Sequence, residues 1–195
     1  LPVGRYLLSA YGYQCDASGF GAMAHGSLIS YTGAPFELSA DRLQDEVIPA
    51  RIVTLRTLDA NGVPVPNALV KVQSNGSAGG HSQSSQDICS PVTDANGELP
   101  MLVAEGTANF TLTPPAARSD LSAAIRTGEV IDSDRSLEVR LESGVRWSGR
   151  LVLPSGQTYS PTSHNSAMWY RLGESGQTIG QANIQLVDGA FDLRL

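Results

Sequence analysis

The feature that most constrains this chain is the tetrapeptide Asp-Ala-Asn-Gly, which occurs at 59–62 and again, 35 residues on, at 94–97. Apolar and polar residues alternate on both sides of each copy: IVTLRTLD leads into the first and VPVPNALVKVQ leaves it, while SPVT precedes the second and ELPMLVA follows it. An Asp side chain bonds the backbone just ahead of it and a Gly accepts positive φ, so the tetrapeptide is turn chemistry. Period-2 alternation gives each flanking strand one buried face, which demands a second layer to cover it. The expectation is a hairpin over 52–73, with Pro64 and Pro66 confining its second arm to a strand start or an edge. SNGSAGGHSQSSQ at 74–86 reads as a polar surface loop, and 90–115 as strand, turn, strand, a second corner at Glu105-Gly106, and a closing strand.

Composition supports an all-β class: 20 Gly and 11 Pro in 195 residues punctuate many short elements, with 41% hydrophobic and 16% charged residues. The net charge of −6 and the scatter of 13 basic residues, of which Lys71 alone is lysine, argue against a nucleic-acid partner, which needs a clustered basic face. No apolar run approaches the roughly 20 residues of a membrane-spanning helix. Leu1 at the head of the chain fits processing, or a fragment cut from a longer array.

The second half repeats the landmarks of the first. Gly156, in SLEVRLESGVRWSGRLVLPSGQTYSP at 136–161, falls 94 residues after Gly62, and Gly189, in ANIQLVDGAFDLRL at 182–195, falls 92 after Gly97. Two nearly equal offsets imply a duplicated unit of about 95 residues. Nothing after FDLRL corresponds to AEGTANFTL, whereas LPVGRYLLSAYGY at 1–13 has the same Gly, aromatic and apolar positions. The expected organisation is therefore a closing strand with an irregular connection over 1–45, a first complete β-sandwich unit with its crossover over 46–135, and a second unit over 136–195 that lacks its last strand. Residues 1–13 would complete that second unit, within the chain or from a neighbouring subunit. SADRLQDEV and SDLSAAIRTGEV, within the least readable stretches 14–45 and 113–135, would hold a turn or two of helix or an irregular crossover.

LDANGVPVPNALVKV, a variable loop, VTDANGELPML and EGTANFTLTP, in that order, resemble the carboxypeptidase regulatory-like (transthyretin-like) domain and the related bacterial immunoglobulin-like repeats of invasin and intimin type surface proteins. The resemblance covers 52–114, and more weakly 145–195 joined to 1–13. It implies Greek-key β-sandwiches of roughly seven strands, found as repeats in secreted, periplasmic or outer-membrane proteins and without catalytic residues of their own. It implies spacing, adhesion, assembly or glycan contact, and a shared fold does not choose among these.

The candidate chemistry is sparse. Asp59 and Asp94 share the alternating oxygens that open a calcium loop, yet neither copy has the third ligand or the position-twelve Glu of an EF-hand, and the turn reading outweighs the metal one. His25, His81 and His164 sit in Gly- and Ser-rich company without a GxSxG elbow, which reads as solvated loops rather than a triad. Cys15 and Cys89 have no zinc spacing; they are either a disulfide, worth about 4 kcal/mol on the chain-entropy model and formed in an oxidising compartment, or two buried small apolar residues. Asn75-Gly76-Ser77 and Asn109-Phe110-Thr111 match the glycosylation sequon, as chance also allows. Trp169, Tyr170 and Arg171 fall on one strand, where neighbours face opposite ways; a ring left outside beside Arg171 would make a platform for sugar or protein, and the alternative is that both rings build the core and rim.

These readings point to a non-enzymatic, secreted, periplasmic or cell-surface protein without a cofactor. It would serve as a filament or surface-assembly subunit joined by β-strand complementation, with itself or other surface proteins as partners through edge strands. The alternatives are a carbohydrate- or protein-binding module and an accessory domain of a larger secreted enzyme.

Overall fold

A computed structural model describes residues 3–12, 28–40, 43, 45–78, 80–86, 91–158, 166–172, 178–185 and 189–194. Strands β1 (Gly4–Tyr6), β2 (Ser9–Gly12), β3 (Leu28–Thr32) and β4 (Phe36–Leu38) come first. Next are β5 (Ala50–Asp59), β6 (Leu69–Ala78), β7 (His81–Gln86), β8 (Glu98–Ala104), β9 (Gly106–Thr113), β10 (Ala124–Ile131) and β11 (Arg135–Leu141). The last four are β12 (Arg146–Arg150), β13 (Ser166–Leu172), β14 (Thr178–Gln185) and β15 (Ala190–Arg194). Among the described residues the helical content is one 3-10 turn, Ala116–Arg118. The protein is all-β.

Two sheets form a sandwich: six strands in the order β10-β9-β6-β7-β3-β2, and three in the order β11-β5-β8. Inward-facing residues of both sheets make one core, with Val53 and Leu55 of β5, Leu99 and Met101 of β8, Val70 of β6 and Phe110 of β9 at most 1% exposed. Each such side chain contributes about 1.5–3 kcal/mol of burial. Val139 and Leu141 of β11 belong to the same core, and β11 runs parallel to β5 from Arg135 opposite Val53 to Leu141 opposite Asp59. Residues 136–141, expected to open the second unit, thus close the first sandwich.

The expected hairpin over 52–73 stops after one turn. Asp59 N donates to the Val63 carbonyl (2.8 Å) and Val65 N to that of Thr57 (2.9 Å), and then the chain crosses to the other sheet. Pro64 and Pro66 have no N–H with which to continue a ladder, and Asn67 turns the backbone at φ 58°, a conformation Asn tolerates. The second corner behaves alike: Val92 bridges to Leu69 of β6, and β8, beyond Asp94–Gly97, pairs with β5. Glu105 likewise carries the chain between sheets, and Gly106 (φ 132°) passes so close to the Asn75 carbonyl that a Cβ has no room.

The two corners are stitched together. Thr57 N donates to the Gly97 carbonyl at 2.7 Å, while the buried Thr93 hydroxyl donates to Val65 O (2.9 Å) and accepts Ala68 N–H (2.9 Å).

The polar stretch 74–86, expected as a loop, is the hairpin of β6 and β7. Its inner face is polar and largely paired: Ser74 and Ser85 hydroxyls lie 2.6 Å apart and Gln83 Nε2 donates to Glu105 O at 3.1 Å, while the buried Gln83 Oε1 has no hydrogen-bond partner. The 113–135 crossover likewise contains a strand, β10, bulged between Arg126 and Glu129.

Residues 1–13 were expected to complete the C-terminal unit. Their described strands pair elsewhere: β1 with β4 in a separate two-stranded sheet, and β2 with β3, whose other neighbour is β7, so that β2 lengthens the six-stranded sheet. The similarity to VAEGTANFTLTP reports strand character, which does not specify a partner.

Three backbone hydrogen bonds of the first corner recur in the second half. Leu151 N donates to Gly189 O (2.9 Å), Leu153 N to Gln157 O (2.8 Å) and Gly156 N to Leu153 O (2.8 Å), as Thr57 does to Gly97, Asp59 to Val63 and Gly62 to Asp59. Arg150 lies opposite Ala190 on β12 and β15 as Arg56 lies opposite Glu98 on β5 and β8. Beyond them β13 pairs with β14.

Thr93→Val keeps the side-chain shape and strands the Val65 carbonyl and the Ala68 amide; it is expected to cost about 1–3 kcal/mol in urea unfolding, with an unchanged m-value.

Candidate functional site

The two Asp residues singled out by the sequence are turn acceptors. Asp59 Oδ1 accepts the amides of Asn61 (2.9 Å) and Val63 (3.0 Å), and Asp94 Oδ1 those of Asn96 and Glu98 (both 2.8 Å). The second oxygen of Asp59 takes Arg118 Nη2 at 3.1 Å, and Arg118 also pairs with Asp120 at 3.0 Å. Both carboxylate oxygens of Asp59 are thus engaged by protein donors. Asp59 therefore anchors the 3-10 turn to the first corner. The Val63 amide, with the Arg118 and Asn61 contacts, holds its pKa below the usual carboxylate value against the opposing effect of burial.

A lowered Asp pKa contributes stability that is present above its unfolded-state value near 3.9 and is lost as pH falls through the folded value. Asp59→Asn is expected to lower the melting temperature at pH 7, the difference from the parent shrinking below about pH 4. An equal difference at pH 7 and pH 2.5 would exclude this role.

The most closely knit polar cluster was not read from the sequence. Tyr31 on β3, 1% exposed, hydrogen-bonds Glu46 through its hydroxyl and lies 2.5 Å from His81 Nδ1. His81 Nδ1 is also 3.6 Å from Glu46 and 3.3 Å from the Ala34 amide, and its ring stacks on Tyr31 with centroids 5.8 Å apart. His81, expected in a solvated loop, is a strand residue tying β7 to β3 and to the segment that leads into β5. The Glu46 hydrogen bond, with burial and the Glu46 charge, pushes the Tyr31 pKa up to about 12. A raised phenol pKa contributes stability that is complete below pH 10 and is lost as pH rises toward 12. Absorbance titration at alkaline pH is expected to show one tyrosine ionising near 12, moved back toward 10 by Glu46→Gln; an unmoved titration would contradict the assignment.

Of the other candidates, Trp169, Tyr170 and Arg171 lie on β13 opposite Ala182, Gln181 and Gly180. Cys15, Cys89, His25 and His164 fall outside the described residues. Trp147 on β12, 49% exposed, packs edge-on against Phe191 of β15 at 4.8 Å between ring centroids. Among the described residues no helix is long and apolar enough to cross a membrane.

The geometry defines an all-β sandwich protein with polar clusters that staple its strands. No family model matches the chain, and no curated protein matches it. Solved structures with some similarity include a streptococcal ancillary pilin (13% identity, TM-score 0.35, over 100% of this chain and 63% of that one). The Bacillus anthracis TIE protein (11%, 0.31, 99% and 35%) is another. A third is the shaft pilin SpaA from Lactobacillus rhamnosus GG, as its E269A/D295N double mutant (11%, 0.32, 62% and 65%). The chain thus spans less than two thirds of the length of each. Similarity of this size does not assign a function, which must be argued from the chain's own strands.

Proposed function

We propose that this chain is a non-enzymatic structural module of an extracellular or cell-surface assembly, joined to itself or to other surface proteins through edge strands. One observation carries the reading. The six-stranded sheet ends on β10 and β2, and the β13–β14 pair has no third strand beside it among the described residues. An edge with unpaired amides and carbonyls accepts an added strand, with backbone hydrogen bonds for affinity and alternate side chains for register. Donation from one chain to the next is heterologous and gives an open fibre unless it closes into a ring. In the single chain residues 4–6 and 9–12 are paired with β4 and β3, so a donor drawn from 1–13 would first leave those partners.

Light scattering across a concentration series is expected to show growing assemblies, and Met168→Pro, in the middle of β13, to abolish them while the first sandwich keeps its unfolding transition. A chain that stays monomeric throughout, or a variant that assembles like the parent, would sink the proposal.

A further inference from the structure

Five strands of the six-stranded sheet carry on their outer face a grid of hydroxyl and amide side chains, bordered by Val130 of β10, which lies opposite Thr107 and is 57% exposed. Register places Thr107, Asn75, Ser84, Ser30 and Tyr11 in one row across β9, β6, β7, β3 and β2. Ser77, Ser82, Thr32 and Ser9 form the next row, and Asn109, Gln73 and Gln86 flank the first on its other side. Their strand neighbours Ala108, Ser74, Ser85, Gln83 and Tyr31 are buried, so the rows face outward. No charged residue interrupts these rows; Lys71, opposite Thr111, lies one row beyond. The outer face of the three-stranded sheet is the opposite, with Glu138, Arg56 and Glu98 in one row and ion pairs linking Arg56 to Glu98 (3.8 Å) and Arg140 to Glu138 (3.0 Å). A chain of net charge −6 thus has no acidic side chain in these rows.

We infer that this face binds a neutral polysaccharide lying flat across the rows. Hydroxyl and amide groups each donate and accept, as sugar hydroxyls do, and neighbouring strands present them about 4.8 Å apart, with rows roughly 6.7 Å apart. An uncharged grid supplies no attraction for phosphate or uronate groups. Tyr11, 82% exposed at the β2 end of its row, offers a ring to an apolar sugar face. An open sheet face selects a long, repetitive ligand that contacts several rows over a small molecule that needs a pocket. This surface is separate from β13 and stands whether or not the chain assembles by strand addition.

Electrophoresis of the full chain through gels containing mixed-linkage β-glucan, galactomannan or dextran, with alginate as the acidic control, tests the inference. At least one neutral polymer is expected to retard the parent. The double variant Asn75→Asp with Ser84→Asp should weaken that retardation at least tenfold (about 1.4 kcal/mol or more), while Thr54→Asp on the opposite sheet leaves it unchanged. Should the double variant fail to fold, Tyr11→Ala at its exposed edge position is expected to weaken retardation severalfold. Retardation by alginate alone, by no polymer, or equally in parent and face variants would overturn it.

Discussion

The sandwich depends on the contact between its two Asp-Ala-Asn-Gly corners. Each corner passes the chain near the boundary between sheets, where a crossing strand leaves backbone groups without a ladder partner. The buried Thr93 hydroxyl takes up two of them at once, accepting from Ala68 N and donating to Val65 O. Gly97 permits this because it approaches Thr57 and Val65 where a side chain would collide. With the corners fixed, β5 and β8 enter register and the inward alternation of both sheets meets in a single core.

Local character was legible in the sequence and pairing was not. Alternation and Asn-Gly chemistry located β5, β6, β8 and β9 and both corners, since these signals act within a few residues. The same signals suggested hairpins where the chain changes sheets, because Pro64 and Pro66 end a ladder without saying where the strand goes next. The β6–β7 hairpin was hidden by its composition: the Ser74 and Ser85 hydroxyls pair with each other and Gln83 Nε2 donates to the Glu105 carbonyl, contacts that exist only once the strands meet. Tyr31, Glu46 and His81 were equally invisible, being spread over 50 positions and joined by the register of β3 with β7. The turn role of Asp59 and Asp94 was legible; the Arg118 contact to Asp59 was not.

The two sheets divide the chemistry of the surface. One outer face carries charges that pair with one another, and the other carries mostly uncharged hydrogen-bonding groups over five strands, with Lys71 one row beyond them. Between them the interior is apolar toward the corners and polar toward Tyr31 and Gln83, where the six-stranded sheet outgrows its three-stranded partner and the segment containing Glu46 comes over it. Strand addition by β3 and β2 has therefore extended the sheet without extending the apolar core, and hydrogen bonds hold the added part.

The parallel pairing of β11 with β5 has a mechanical consequence. β5 begins at Ala50 and β11 ends at Leu141, and because both run the same way these two points lie at opposite ends of the strand pair. Tension applied through these two points pulls the strands in opposite directions along their axes. It must shear all seven paired positions from Arg135 to Leu141 together rather than peel them one by one.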